Sequence, residues 1–269
     1  MDSLRETTIH IIDLRIQKLP FIKLFIVSIS LLVYGCIEDD TNVGCDADCS
    51  TLKLSFFSNE DEPLQGVKVN LNYRISNAGL GGSIRRIIEV ESDENGIVNE
   101  SFFIENDELG PAAKGFFTVD IDDAKLDVNR FIRTDNLVGN SKSDIGFSIF
   151  SISQRDTIIE KDYFFPRKTF ITVNLNNFFP LSDSDNFEVR TLYPFGKRIG
   201  ENSLIDTEFS TGFSGYDTFE SRVKDTTFRV YVAGNEQNII RIFRRKNEVN
   251  SSEDFPMFIP LDNDIELSF

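Results

Sequence analysis

Two cysteines, several acidic clusters and one basic island are the residues of this chain that could do chemistry. Cys45 and Cys49 are close enough to pair as a disulfide in an oxidising compartment, or they stand as two free thiols. A metal site is disfavoured, because two thiolates without histidine supply too few ligands. Acids gather at Glu60-Asp61-Glu62, at Asp120, Asp122 and Asp123, at Asp183 and Asp185, and at Asp262 and Asp264. Calcium wants several oxygens from one loop, and none of these clusters has Asp-x-Asp-x-Asp-Gly spacing. Solvated turns are the preferred reading, with Asp120, Asp122 and Asp123 the weak calcium candidates. Paired carboxylates could hydrolyse glycosidic bonds. With 44 acidic residues in the chain some pair must lie close, so no pair is singled out. Arg241, Arg244, Arg245 and Lys246 could meet an acidic partner or a sugar acid. A strand end entering a charged turn explains them more simply. Gly-x-Ser-x-Gly is absent, and no Ser-x-x-Lys occurs with its partner motifs.

The amino-terminal end explains why so little chemistry is available. Leu24 to Tyr34 is an uncharged run of 11 residues, preceded by Lys18 and Lys23. That suits the apolar region of a signal peptide and falls short of the ~20 residues a membrane span needs. The run ends in Val33-Tyr34-Gly35-Cys36, with Ile37-Glu38-Asp39-Asp40 behind it. This resembles the lipobox of a bacterial lipoprotein, with Tyr34 departing from the smaller residue usual there. The resemblance implies that Cys36 is lipidated and becomes the first residue of the mature chain; a plain secretory signal is the alternative. The acids behind Cys36 resemble the surface-export signal of Bacteroidota-type lipoproteins, against a solvated linker facing the periplasm. Residues 1–17 carry Asp2, Glu6 and Asp13 and are long for a signal start, so a translation start misassigned upstream is the expectation.

Charge narrows the partners. The chain has 28 basic and 44 acidic residues, of which residues 1–35 hold four and three, leaving 24 and 41 and a net charge of −17. So acidic a surface disfavours nucleic acid, whose phosphates demand a basic footprint, and offers anionic lipid no polybasic patch. Membrane attachment would rest on acyl chains, at about 0.8 kcal/mol per buried methylene. The only histidine, His10, would leave with the signal. That removes Ser-His-Asp and Cys-His catalysis and His-ligated metals, and no cofactor is expected. There is no Trp, but 26 Phe favour sheet cores over helical bundles.

Period-two alternation runs through the rest. Thr51–Ser58 puts Leu52, Leu54 and Phe56 on one face, and Gly66–Tyr73 puts Val67, Val69, Leu71 and Tyr73 on one face. Further strands are expected at 84–90, 97–104, 116–121, 144–153, 157–165, 169–178, 187–193, 219–223, 226–233, 238–244 and 265–269. Asp93-Glu94-Asn95-Gly96 is a tight hairpin signature, and no helix is expected. Pro63-Leu64-Gln65-Gly66-Val67-Lys68-Val69 followed by Ser92-Asp93-Glu94-Asn95-Gly96-Ile97-Val98 resembles the carboxypeptidase regulatory-like, transthyretin-like β-sandwich, with Ser92 in the place of Thr. The resemblance covers about 51–127 and implies a structural or accessory module without catalytic residues.

The sequence therefore predicts an all-β protein: a signal peptide (1–35), a lipidated acidic tether (36–50), and two consecutive β-sandwiches (51–165 and 166–269). The expected function is a non-catalytic binding, adhesion or assembly module lipid-anchored in the outer membrane and exposed at the cell surface, with a protein or glycan partner. Alternatives are an accessory subunit of an envelope transport or secretion complex, and a carboxylate-only glycan-acting enzyme.

Overall fold

Alternation becomes sheet wherever both faces have something to do. In β1 (Ser50–Phe57) the inward residues Leu52, Leu54 and Phe56 are buried, while Lys53 between them is exposed. The computed structural model describes residues 45, 48–77, 81–136, 145–177, 179–199, 203–204, 215–221, 225–262 and 265–269, all within the unit Glu38–Phe269. The lipobox and Cys36 lie outside the described residues. After β1 come β2 (Lys68–Asn77), β3 (Gly81–Glu91), β4 (Ile97–Phe102), β5 (Phe116–Asp122), β6 (Phe147–Ile149), β7 (Ile158–Phe164) and β8 (Lys168–Leu175). Then follow β9 (Asn186–Tyr193), β10 (Gly196–Ile199), β11 (Ser203–Leu204), β12 (Gly215–Ser221), β13 (Thr226–Ala233), β14 (Glu236–Lys246), β15 (Val249–Ile259) and β16 (Glu266–Ser268). Only short 3-10 turns interrupt them among the described residues, so the chain is all-β.

Four sheets form two layered pairs. The order β11-β10-β7-β1-β4 packs against β3-β2-β5-β6 over a core that includes Leu52, Leu54, Val69, Leu71, Val98, Phe117, Val119 and Tyr163. The order β12-β9-β14-β15 packs against β13-β8-β16 over Ile171, Val173, Val189, Val230, Val232, Ile240 and Ile242. Each side chain of this kind contributes about 1.5–3 kcal/mol when fully buried. The first core also takes in Tyr193, Phe195 and Ala233, and β10 pairs with β7 through Gly196↔Phe164 and Lys197↔Tyr163. Among the described residues two pairings are parallel: β1 with β7, and β16 with β8.

Three local differences from the sequence reading have physical causes. Between Leu71 and Asn72 the β2–β3 register slips by a residue, so Ile87 and Ile88 are both buried while Ile84 is half exposed; a β-bulge breaks the alternation. β15 escapes a sequence reading because it is an edge strand, carrying Glu253, Asp254 and Pro256, and among the described residues it pairs with β14 alone. The 93–96 turn is present, but it is no hairpin: β3 and β4 on either side of it belong to opposite sheets.

That inter-sheet turn ties the two regulatory-like segments together. The Ser92 hydroxyl donates to the Leu64 carbonyl at 2.7 Å and accepts the Val67 N–H at 3.0 Å, while the Ser92 N–H donates to the Val67 carbonyl. Asp93 accepts the N–H groups of Ile97 and Asn95, which hold its carboxyl below the ordinary range, the Ile97 contact first. Gly96 sits at φ +72°, and a Cβ there would meet the Phe56 carbonyl at 2.3 Å and the Leu64 nitrogen at 2.9 Å. Gly110 also has positive φ but has open space around it. Gly96→Ala is therefore expected to cost at least about 3 kcal/mol, and Gly110→Ala only about 1 kcal/mol. Urea unfolding measures both; equal losses would show that backbone conformation alone, without the close approach, governs Gly96.

Candidate functional site

The sequence candidates land in separate places. Cys45 and Cys49 are joined by a disulfide with Cα atoms 5.7 Å apart, at the entrance to β1. Asp120, on the outer face of β5, accepts Arg74 at 2.9 Å and Asn72 at 3.0 Å. Asp122 is exposed and accepts the Ala124 N–H. Asp123 is buried and receives both the N–H and the hydroxyl of Thr134 at 2.7 Å, which pins the loop after β5. Burial pushes its carboxyl up, and Thr134 only partly opposes that. Asp120 is committed to Arg74 and Asn72 on β5, and Asp123 to Thr134 in the loop after it, so the three do not share a site, and among the described residues no group of three or more His, Cys, Asp or Glu is placed to hold a metal.

The basic island is largely neutralised by β15. Arg241 forms a two-pronged pair with Asp254 at 2.5 and 2.7 Å, and Arg244 lies 3.5 Å from Glu253. Arg245 and Lys246 enter the Asn247-Glu248 turn, where both central residues have positive φ, as a two-residue hairpin demands. Asp185 latches that turn. It accepts the N–H of Leu181, Ser182 and Asn247 and the Ser182 hydroxyl, and these contacts, Leu181 first, hold its carboxyl below the ordinary range.

A depression lies on the outer face of β13-β8-β16. Its volume is about 230 Å³, and Phe170, Thr172, Arg229 and Glu266 are among its lining residues. The sheet brings them together by register, with Arg229 and Glu266 on the strands flanking Thr172. Phe170 is 38% exposed, and the Arg229 guanidinium stacks 4.3 Å from its ring centroid. A polar rung crosses all three strands: Thr227 donates to Asn174 at 2.7 Å, and Asn174 donates to Glu266. Toward the first pair, Tyr231 donates to the Asn136 carbonyl, and Lys168 reaches the Val128 carbonyl at 2.7 Å. The arrangement offers an aromatic plate, a cation and a carboxylate on a rigid floor. It is a shallow surface rather than an enclosed pocket.

A second cluster joins the two cores. The turn after β1 carries Asn59, whose amide donates to the Gly234 carbonyl at 3.0 Å and to Glu236 at 2.8 Å, and whose oxygen accepts the Arg167 N–H at 2.8 Å. Glu62 accepts Arg167 at 2.9 and 2.6 Å and also pairs with Arg130. Glu60 and Asp61, at φ 60° and 56°, bend the chain so that these side chains converge. Burial raises the Glu236 carboxyl, partly offset by Asn59. The sequence signal for this cluster was only the acid-rich turn, read as solvated; nothing in spacing pointed to Arg167, 105 residues away from Glu62.

No family model matches the chain, and no curated protein does. Solved structures that it resembles include the shaft pilin SpaA of Lactobacillus rhamnosus GG (10% identity, 82% of this chain and 96% of that one, TM-score 0.28). Others are the major pilin subunit BcpA of Bacillus cereus (10%, 79% and 69%, 0.28) and the major pilin SpaD of Corynebacterium diphtheriae (10%, 81% and 67%, 0.28). At such scores the likeness carries no argument about fold detail or activity; the all-β assignment rests on the strands described above.

Two buried groups make testable predictions. The Tyr163 hydroxyl is fully buried between Phe56, stacked 5.2 Å away, and the rest of the first core, and among the described residues no hydrogen-bond partner meets it. Tyr163→Phe is expected to stabilise the protein by about 1 kcal/mol in urea unfolding, and a loss of stability would mean the hydroxyl is satisfied after all. Glu236 has a folded pKa above its unfolded one, so its favourable contribution is full below the unfolded value and is lost as pH rises through the folded one. Glu236→Gln should therefore raise Tm at neutral pH, by an increment that shrinks as pH falls into the carboxylate range. A Tm gain independent of pH would contradict this origin.

Proposed function

We propose that the protein is a non-catalytic lipoprotein displayed at the bacterial cell surface, a binding, adhesion or assembly module held in the outer membrane by acylated Cys36. The observation that carries the reading is the outer face of β13-β8-β16, where Phe170 and Arg229 form an exposed plate on a rigid sheet beside Glu266. An aromatic ring backed by a guanidinium suits a partner with a flat apolar or sugar-ring face, and Glu266 suits its hydroxyl or cationic groups. A protein or a glycan fulfils that description.

The carboxylates that burial pushes up, Asp123 and Glu236, are committed to Thr134 and Asn59 and lie outside the depression. That weighs against the glycan-acting enzyme. The Ser92 hydroxyl, where the two regulatory-like segments meet, supports the accessory-module character that the resemblance implies.

Three outcomes are expected. Cys36→Ser loses acylation and moves the protein from the membrane to the soluble fraction. Protease added to intact cells degrades the wild-type protein; a protected protein would place it on the periplasmic side. The double variant Phe170→Ala, Arg229→Ala loses binding to whole cells and to glycan arrays while unfolding changes by no more than about 1 kcal/mol. Undiminished binding in that variant would move the contact surface elsewhere.

A further inference from the structure

In both layered pairs the first strand to enter lies parallel to a later strand of the same sheet. The amino-terminal side of the chain enters the first pair at Ser50, the start of β1, and first leaves it at Phe164, the end of β7, before β10 and β11 rejoin the same sheet. These strands are side by side and parallel over seven register pairs, from Thr51↔Ile158 to Phe57↔Phe164. Parallel pairing is the rarer arrangement and needs a long crossover, so it is not the default way to bring two strands together. The chain then enters the second pair at Lys168, the start of β8, and β16, its last strand, lies parallel to β8 over three pairs, Thr172↔Glu266 to Ser268↔Asn174.

We infer that the fold is a load-bearing link whose hydrogen bonds resist tension in shear. A pull between the tether and the second pair acts on opposite ends of two neighbouring parallel strands. It drives them along one another, so the rungs between β1 and β7 share the load. Had the strands been antiparallel, the same pull would have met both at one end and opened the rungs one at a time. Backbone bonds close the ladder at each end, Thr51 N–H to the Thr157 carbonyl at 2.9 Å and Phe165 N–H to the Phe57 carbonyl at 2.9 Å.

The side chains reinforce the same interface. Lys53 pairs with Glu160 and the Ser55 hydroxyl donates to Asp162 on the outer face. Phe56 stacks on Tyr163 at 5.2 Å, and Phe57 packs on Phe164 at 5.7 Å. Load reaching the first pair through β10 also arrives at the carboxyl end of β7, at Phe164 and Tyr163. Asn59 and Glu62 carry part of it directly to the turn after β1, and the clamp bears what they release.

The use of such a clamp in a cell rests on the proposed anchor at Cys36, but the clamp itself does not. The test pulls single full-length molecules, with Cys36→Ser to remove the remaining thiol, in two geometries. One uses handles at the two chain ends. The other uses the amino-terminal handle and a second handle on Asp156→Cys, an exposed residue just before β7, which peels β1 from β7 rather than shearing them. The expected result is an unfolding force several-fold higher end to end than in the peeling geometry, because forced unfolding follows the barrier along the pulled direction. End-to-end traces should also yield in two steps, the three-pair clamp before the seven-pair one, with the first step releasing the chain beyond β7. Equal forces in the two geometries, or a first step that releases β1–β7, would overturn the inference. Loss of acylation or of ligand binding would leave the force ratio unchanged, so failure of the proposed function and failure of the clamp are distinguishable.

Discussion

Asn59 has a two-donor amide and an acceptor oxygen, and almost no water to spend them on. It is 4% exposed, so every one of those positions must be met by protein, and they are met by Arg167, Gly234 and Glu236. Two segments that are more than a hundred residues from β1, at Arg167 and at 234–236, are thereby fixed to the turn that ends it. The backbone repeats the connection: Gly234 N–H donates to the Arg167 carbonyl, and Ile132 N–H donates to the Pro166 carbonyl. An apolar residue at 59 would leave the Arg167 N–H and the Gly234 carbonyl without the partner they have here. Such orphaned backbone groups cost about 1–3 kcal/mol each when buried. Glu62 and its two arginines then surround this neutral centre with charge that is only partly screened by water.

The two cores are coupled by more than this cluster. Phe195 meets Phe165 edge-on at 5.3 Å, Tyr193 belongs to the first core although β9 pairs within the second, and β10 leaves β9 to join β7. Aromatic residues suit this role because one ring can present different faces to two sheets. Work on one sandwich is therefore felt at the carboxyl end of β7, which is the point where the chain itself crosses. A face built on β8, β13 and β16 and the turn that ends β1 are joined by a short, heavily bonded path.

The all-β class was legible because alternation survives wherever a strand has one wet face. Leu52, Leu54 and Phe56, or Val230 and Val232, announce themselves in that way. It was illegible where an edge strand is polar and exposed through its first half, as in β15 before Phe255, or where a bulge turns two successive residues inward, as at Ile87 and Ile88. The regulatory-like segments were legible as segments, but their meeting at Ser92 depends on a sheet-to-sheet crossing that local sequence does not encode. The candidate face was not legible at all. Phe170 reads as one more strand residue, and only the register of β13 against β8 sets Arg229 within reach of its ring. Glu266 joins from a strand nearly a hundred residues later.

Acidic residues that look alike in sequence turn out to act in opposite senses. Asp93 and Asp185 gather several N–H groups each, which favours the ionised form and lowers their pKa. Their contribution to stability is present above the unfolded value and is lost as pH falls through the folded one. Asp123 and Glu236 are buried with fewer donors, so desolvation dominates and raises theirs; their favourable contribution exists at low pH and fades as pH rises. Acidification therefore loosens two turns, one between the sheets of the first pair and one at the β14–β15 hairpin, while it firms the loop after β5 and the junction. The surplus of negative charge adds a general repulsion that protonation relieves. A protein this acidic need not be acid-labile, because the latches that acid opens and the burials that acid favours lie at different places in the same fold.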